Sequence, residues 1–141
     1  MRLREVTGAP VMECKRALEE AKGNFDRAVE IVRERGVIKA EKKADRKTGA
    51  GLLESYIHNN RVGVLLELRC ETDFVARSDP FRSLAHEIVM QIAAMNPADV
   101  PSLLASPYIK DERRTVKDLI SETITKVGEN IKVERFSRYE L

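Results

Sequence analysis

The run from Val62 to Cys70 alternates without a break. Val62, Val64, Leu66, Leu68 and Cys70 share one parity, and Gly63, Leu65, Glu67 and Arg69 the other. Successive side chains of a strand point to opposite faces, so this pattern demands a strand with one face against a core. An isolated strand has no stable partner surface, and the neighbouring sequence supplies one. Leu52 to His58 reads as a preceding strand, and Asn59-Asn60-Arg61 is turn chemistry. Ile131 to Tyr139 reads as a third strand. Its alternation is weaker, which leaves its register open.

Helices are expected to cover this sheet. Asp79 is read as the cap of a helix over residues 79–95, with Pro80 at its first position. Phe81, Leu84, Ala85, Ile88, Ile92 and Met95 form its apolar stripe, and His86 falls off it. Asn96-Pro97 stops it. Pro97, Pro101 and Pro107 suggest a loop with one helical turn before a second helix over residues 113–127, ended by Gly128.

The first third of the chain is helical in pattern. A short helix carries Arg4 and Glu5. Pro10 opens a second, striped by Val11, Cys14, Leu18 and Ala21. Asn24 or Asp26 caps a third, striped by Phe25, Ala28, Val29 and Val32 and expected to end at Gly36. Lys39, Lys42, Lys43, Arg46 and Lys47 then form a basic tract interrupted by Glu41 and Asp45. The division is a helical bundle over residues 1–38, a basic linker over 39–51 and a core over 52–141. The fold class is α+β: an antiparallel three-stranded sheet covered by helices, with a three-helix bundle in front.

Composition excludes more than it assigns. The formal net charge of +2 is too even to argue for nucleic acid. The basic tract lacks interleaved aromatics for base stacking, so direct nucleic-acid binding is not expected. No apolar run reaches a membrane span, and Met1 to Val6 lacks the apolar centre of a secretory signal, so a cytoplasmic protein is expected. Cys14 and Cys70 lie far apart, without histidines at metal-ligand spacing, and read as buried thiols. No phosphate-binding glycine loop, Gly-x-Ser-x-Gly or His-Glu-x-x-His is present. A Cys70–His58–Asp73 triad can be drawn on paper, but Cys70 falls on the core row and His58 beside the hairpin turn. No catalytic residue, cofactor or metal ligand is assigned.

What remains is the seam Glu71-Thr72-Asp73-Phe74-Val75-Ala76-Arg77, between the alternating strand and the Asp79-Pro80 helix start. The chain has four Phe and no Trp, and one Phe stands at this junction. Spacing alone makes Phe74 a staple that tucks the strand end under the helix.

Four ordered motifs carry a resemblance. Thr7-Gly8-Ala9 with Met12-Glu13-Cys14-Lys15-Arg16-Ala17-Leu18 is the first, and the Glu71–Arg77 seam is the second and most specific. Met90-Gln91-Ile92-Ala93-Ala94-Met95-Asn96-Pro97 and Val127-Gly128-Glu129-Asn130-Ile131 follow in order. Nearly the whole chain resembles the translation elongation factor Ts family, guanine-nucleotide exchange factors for elongation factor Tu. The resemblance implies a bundle similar to ubiquitin-associated domains. It implies that Thr72, Asp73, Phe74 and Val75 enter the nucleotide-binding domain of elongation factor Tu. Phe74 would then act as a wedge, with Asp73 assisting, to dislocate Mg²⁺ held by the partner. It also implies that Arg4, Val11 and Met12 dock on a helix of that domain. Pro10 and Val11 stand where the family often has Gly and Met. Few residues separate Pro97 from Tyr108, where many members carry an insertion, and short members are expected to pair as homodimers. The competing reading is a ubiquitin-associated-like adaptor or RNA-binding module.

Overall fold

Three helices open the chain: α1 (Arg2–Thr7), α2 (Val11–Glu20) and α3 (Phe25–Lys43). The structure is a computed structural model that describes residues 2–141; Met1, where the sequence reading began the first helix, lies outside them. Leu3, Ala9, Cys14, Ala17, Ala28, Ile31 and Val32 form a small core of their own. Asn24 caps α3, its side chain accepting from Arg27 N at 3.2 Å. The helix does not stop at Gly36. It runs on to Lys43, so the first five residues of the basic linker continue the helix and the rest leave it. Gly36 is buried there, where closeness to a neighbour outweighs its weak helix propensity.

The hairpin follows as β1 (Ala50–His58) and β2 (Val62–Cys70). Asn59 and Asn60 both take positive φ, +50° and +56°, which asparagine tolerates. Arg61 N donates to His58 O at 3.0 Å and closes the turn. After β2 come α4 (Asp73–Ala76), α5 (Asp79–Met95), α6 (Val100–Ala105), β3 (Pro107–Tyr108), β4 (Asp111–Thr115), α7 (Val116–Val127) and β5 (Ile131–Glu140). The sheet is antiparallel in the order β1-β2-β5, with β2 in the centre. Val64, Leu66, Leu68 and Cys70 pack on Phe81, Leu84, Ile88 and Ile92 of α5 and on Ile120 and Ile124 of α7.

Several boundaries differ from the sequence reading. Ser78, not Asp79, takes the cap position of α5, and Pro80 lies in its first turn. Met95 is exposed, while Gln91 is fully buried. Gln91 donates to Pro107 O at 2.8 Å and accepts from Ile109 N at 3.0 Å. These bonds hold the small β3–β4 hairpin, which the proline-rich loop reading missed. In β5 the register shifts between the partners of Glu67 and Leu68, which pair with Arg135 and Val133. Glu134 is the extra residue of a bulge. It reverses the inward parity: Ile131 and Val133 are buried before it, and Phe136 and Arg138 turn inward after it.

Candidate functional site

The end of β2 feeds directly into one helical turn. Thr72 is the N-cap of α4, its hydroxyl accepting from Val75 N at 3.3 Å. The same hydroxyl donates to Glu129 Oε2 at 2.7 Å. Glu129 Oε1 accepts from Glu71 N at 3.1 Å and Thr72 N at 3.0 Å. Glu71 returns the contact, its Oε2 accepting from Asn130 N at 2.6 Å. Asn130 then donates its side-chain amide to Ala44 O and Arg46 O, at 3.3 and 3.0 Å. Two carboxylates thus bind the start of α4 reciprocally to the turn between α7 and β5. Hydrogen bonds to charged acceptors are stronger than neutral ones, so this brace fixes the direction of the turn.

The turn divides its side chains sharply. Val75 and Ala76 are buried in the main core, whereas Phe74 is 85% exposed. The staple reading of Phe74 is therefore overturned. Residues one and two positions beyond it do the tucking, because a helical turn sends 74 away from 75 and 76. Val75, expected to enter a partner with its neighbours, is only 5% exposed and anchors the turn. Thr72 and Asp73 are exposed beside Phe74.

The base of the turn is rigid for a further reason. Gly51 pairs with Arg69 across the hairpin and has φ +154°. A Cβ there would stand 2.3 Å from Leu68 O and 2.8 Å from Arg69 Cα. Only glycine allows β1 to approach β2 so closely.

Other candidates separate in space. Cys70 pairs with Ala50 and His58 with Val62, at opposite ends of the hairpin, so the paper triad with Asp73 does not assemble. Cys70 Sγ donates to Thr72 O at 3.2 Å. Burial pushes the Cys70 thiol up, and the charge of Glu129 adds to it. That keeps the thiol protonated as a donor to the turn. His58 bonds to the Tyr56 hydroxyl at 2.9 Å. No group of three or more His, Cys, Asp or Glu among the described residues is arranged to hold a metal. Among those residues no helix is long and apolar enough to cross a membrane.

On the bundle, Arg4, Val11 and Met12 are all exposed, Met12 at 56%. Val6 is exposed as well. Sequence reasoning named no role for Glu129 or Asn130, though both lie in the fourth motif. The available signal was the pairing of polar Glu129-Asn130 with a helix stop at Gly128, but a local pattern does not disclose a partner 57 residues away.

Comparison with known proteins finds relatives along nearly the whole chain. The family profile described as Elongation factor TS matches residues 71–141, which begin at Glu71 of the brace. A protein named Elongation factor Ts from Thermotoga sp. (strain RQ2) is 43% identical over 184 residues, covering 99% of this chain and 92% of its own length. Those from Thermodesulfovibrio yellowstonii and Carboxydothermus hydrogenoformans are 41% and 43% identical and cover 99% of this chain. Likeness of this extent, on an α+β core with a bundle in front, places the chain in the class of translation elongation factors. Within that class it belongs to the elongation factor Ts family. The alignment of 184 positions exceeds the 141 residues of this chain, so the Thermotoga relative carries residues with no counterpart here.

Proposed function

We propose that the chain is a guanine-nucleotide exchange factor for elongation factor Tu, with Phe74 as its wedge. The carrying observation is an aromatic ring left 85% exposed on a turn whose every other constraint holds it still. Burying such a ring in a partner is worth roughly 1.5–3 kcal/mol from area alone. Because the brace orders the turn beforehand, little of that gain is lost to ordering on contact.

The mechanism is linkage without bond chemistry. The factor binds best to a partner conformation that holds nucleotide poorly, so factor and nucleotide weaken each other by the same ratio. Mg²⁺ neutralises the phosphates in nucleotide-binding domains of this kind. Insertion of Phe74, with the carboxylate of Asp73 beside it, displaces elements that hold the ion. GDP then leaves faster, and GTP rebinding expels the factor. Thr72 caps the wedge turn and Val75 roots it. Arg4, Val11 and Met12 supply a second contact from the bundle. The Mg²⁺ belongs to the partner.

A second copy of the chain is proposed to pair across the outer sheet face. Leu53, Ile57, Leu65 and Tyr139 are exposed there, with Ser137 opposite Leu65. Exposed apolar patches of this kind mark interaction surfaces. Sedimentation of the chain alone checks the pairing.

Release of a fluorescent GDP from elongation factor Tu tests the main reading. The chain is expected to accelerate release in proportion to its concentration until the partner saturates. Unchanged release refutes the exchange function.

A further inference from the structure

The bundle and the core meet along one face of α7. Glu122, Thr125 and Lys126 are three and four positions apart, which puts them on the same side of a helix. Each meets the first third of the chain by a different kind of contact. Arg33 Nε donates to Glu122 Oε1 at 3.0 Å, and the other oxygen of Glu122 accepts from Arg114. The Arg33 and Glu122 side chains are only 31% and 13% exposed. Gly36 lies against Thr125, where an added Cβ would be 3.2 Å from Oγ1. Gly8 lies under the stem of Lys126, where an added Cβ would be 2.2 Å from Cε.

We propose that this face of α7 holds the bundle in one orientation while the partner is engaged. Glu122 is the positioning residue, and the surface bearing Met12 and the turn bearing Phe74 meet the partner as one bivalent body. This rests on the exchange reading given above. A solvent-exposed ion pair contributes little by itself. Here a shielded carboxylate serves two guanidinium groups, and two glycines let backbone approach the same helix face. Removing one member of such a shielded set leaves charge uncompensated. Within the bundle, α3 passes through Gly36 as continuous helix to Lys43, so the side of α3 that meets α7 is unbroken at that glycine. Two contacts on a rigid body give the second a high effective concentration once the first has formed, and a loose tether lowers it.

The test locks the docking and loosens it. The Gly36→Cys, Thr125→Cys double variant places two thiols where a disulfide can close, since a Cβ at 36 already lies 3.2 Å from the Thr125 hydroxyl. Without any partner, near-complete closure, mapped by peptide mass, supports the docking; failure to close under oxidation overturns it. Oxidised and reduced forms should accelerate GDP release from elongation factor Tu equally. Loss on oxidation with recovery on reduction would mean that the bundle must leave α7, and the proposal falls. Glu122→Ala should weaken binding to elongation factor Tu about tenfold while leaving the saturated release rate unchanged. Arg33→Gln, which keeps Glu122 paired with Arg114, should do the same. The disulfide built into Glu122→Ala should restore affinity, and Glu122→Ala alone should be fully folded at assay temperature by thermal melt, which separates orientation from a stability defect that the cross-link would also repair. Wild-type affinity in both single variants overturns the positioning role. If the unaltered chain releases no GDP, the exchange reading has failed, and disulfide closure still decides the docking.

Discussion

Glu129 and Thr72, 57 residues apart in the chain, are joined by two hydrogen bonds, one from the Thr72 amide at 3.0 Å and one from its hydroxyl at 2.7 Å. The same carboxylate takes the Glu71 amide. Three donors on one acceptor mean that a residue from the end of the chain orients the exposed ring near its middle.

Glu129→Gln should therefore cost more function than stability. The amide oxygen can keep the two backbone N–H groups, but its NH₂ must donate to the Thr72 hydroxyl, which reverses that bond, and the charge that strengthened all three contacts is lost. Urea unfolding is expected to show a loss of about 1–2 kcal/mol. GDP release should fall severalfold at fixed concentration, because Phe74 is then presented in several directions. Asn130→Ala is a milder version, since it removes the bonds to Ala44 and Arg46 but leaves Glu129 in place.

Neighbours on the wedge turn should separate stability from function. Val75→Ala removes buried methyl groups and is expected to destabilise by about 2 kcal/mol. Phe74→Ala removes a ring that touches mostly solvent, so its unfolding free energy should change by no more than about 0.5 kcal/mol. Paired urea or thermal melts check both. A Phe74→Ala variant as unstable as Val75→Ala would mean that the ring belongs to the core.

Gly51→Ala should be among the most damaging single substitutions in the sheet. The new Cβ would fall 2.3 Å from the Leu68 carbonyl oxygen, on backbone at φ +154°. Strained backbone and overpacking each cost about 1–3 kcal/mol, and here they coincide. Amide exchange of β1 and β2 is the sensitive readout. Protection should be lost first at the end of the hairpin that mounts the wedge.

The alternating strand, both covering helices and the three-helix front were legible because their evidence is local. Period two in Val62–Cys70 and the stripe on α5 depend on nothing distant. Where the reading failed, a distant contact decided. Gly36 continues a helix because Thr125 lies beside it. The register of β5 was obscured by Glu134, whose bulge reverses the alternation halfway along. Phe74 read locally as a staple, since a large aromatic at a strand end is more often buried than exposed. Its direction depends on α4, a four-residue turn too short for periodicity to announce.

Acid stability should depend on Glu87. Its carboxylate accepts from the Tyr108 hydroxyl and the Lys110 ammonium, both at 2.7 Å. Burial raises its pKa, but the two hydrogen bonds and the Lys110 charge outweigh burial and leave it below 4.5. A carboxylate depressed on folding stabilises above its unfolded pKa, and that stability is lost as pH falls through the folded value. The acid limb of the stability curve below about pH 4.5 should be shallower in Glu87→Gln. Identical slopes would mean that Glu87 carries none of the acid dependence.

The wedge role of Phe74 is tested by the rate of fluorescent GDP release from elongation factor Tu with wild-type chain and with Phe74→Ala, at matched concentrations and confirmed folding. Strong acceleration by the wild type is expected, with a loss of about tenfold or more in the variant, the equivalent of about 1.4 kcal/mol or more. A folded Phe74→Ala chain that accelerates release as well as the wild type would contradict that role.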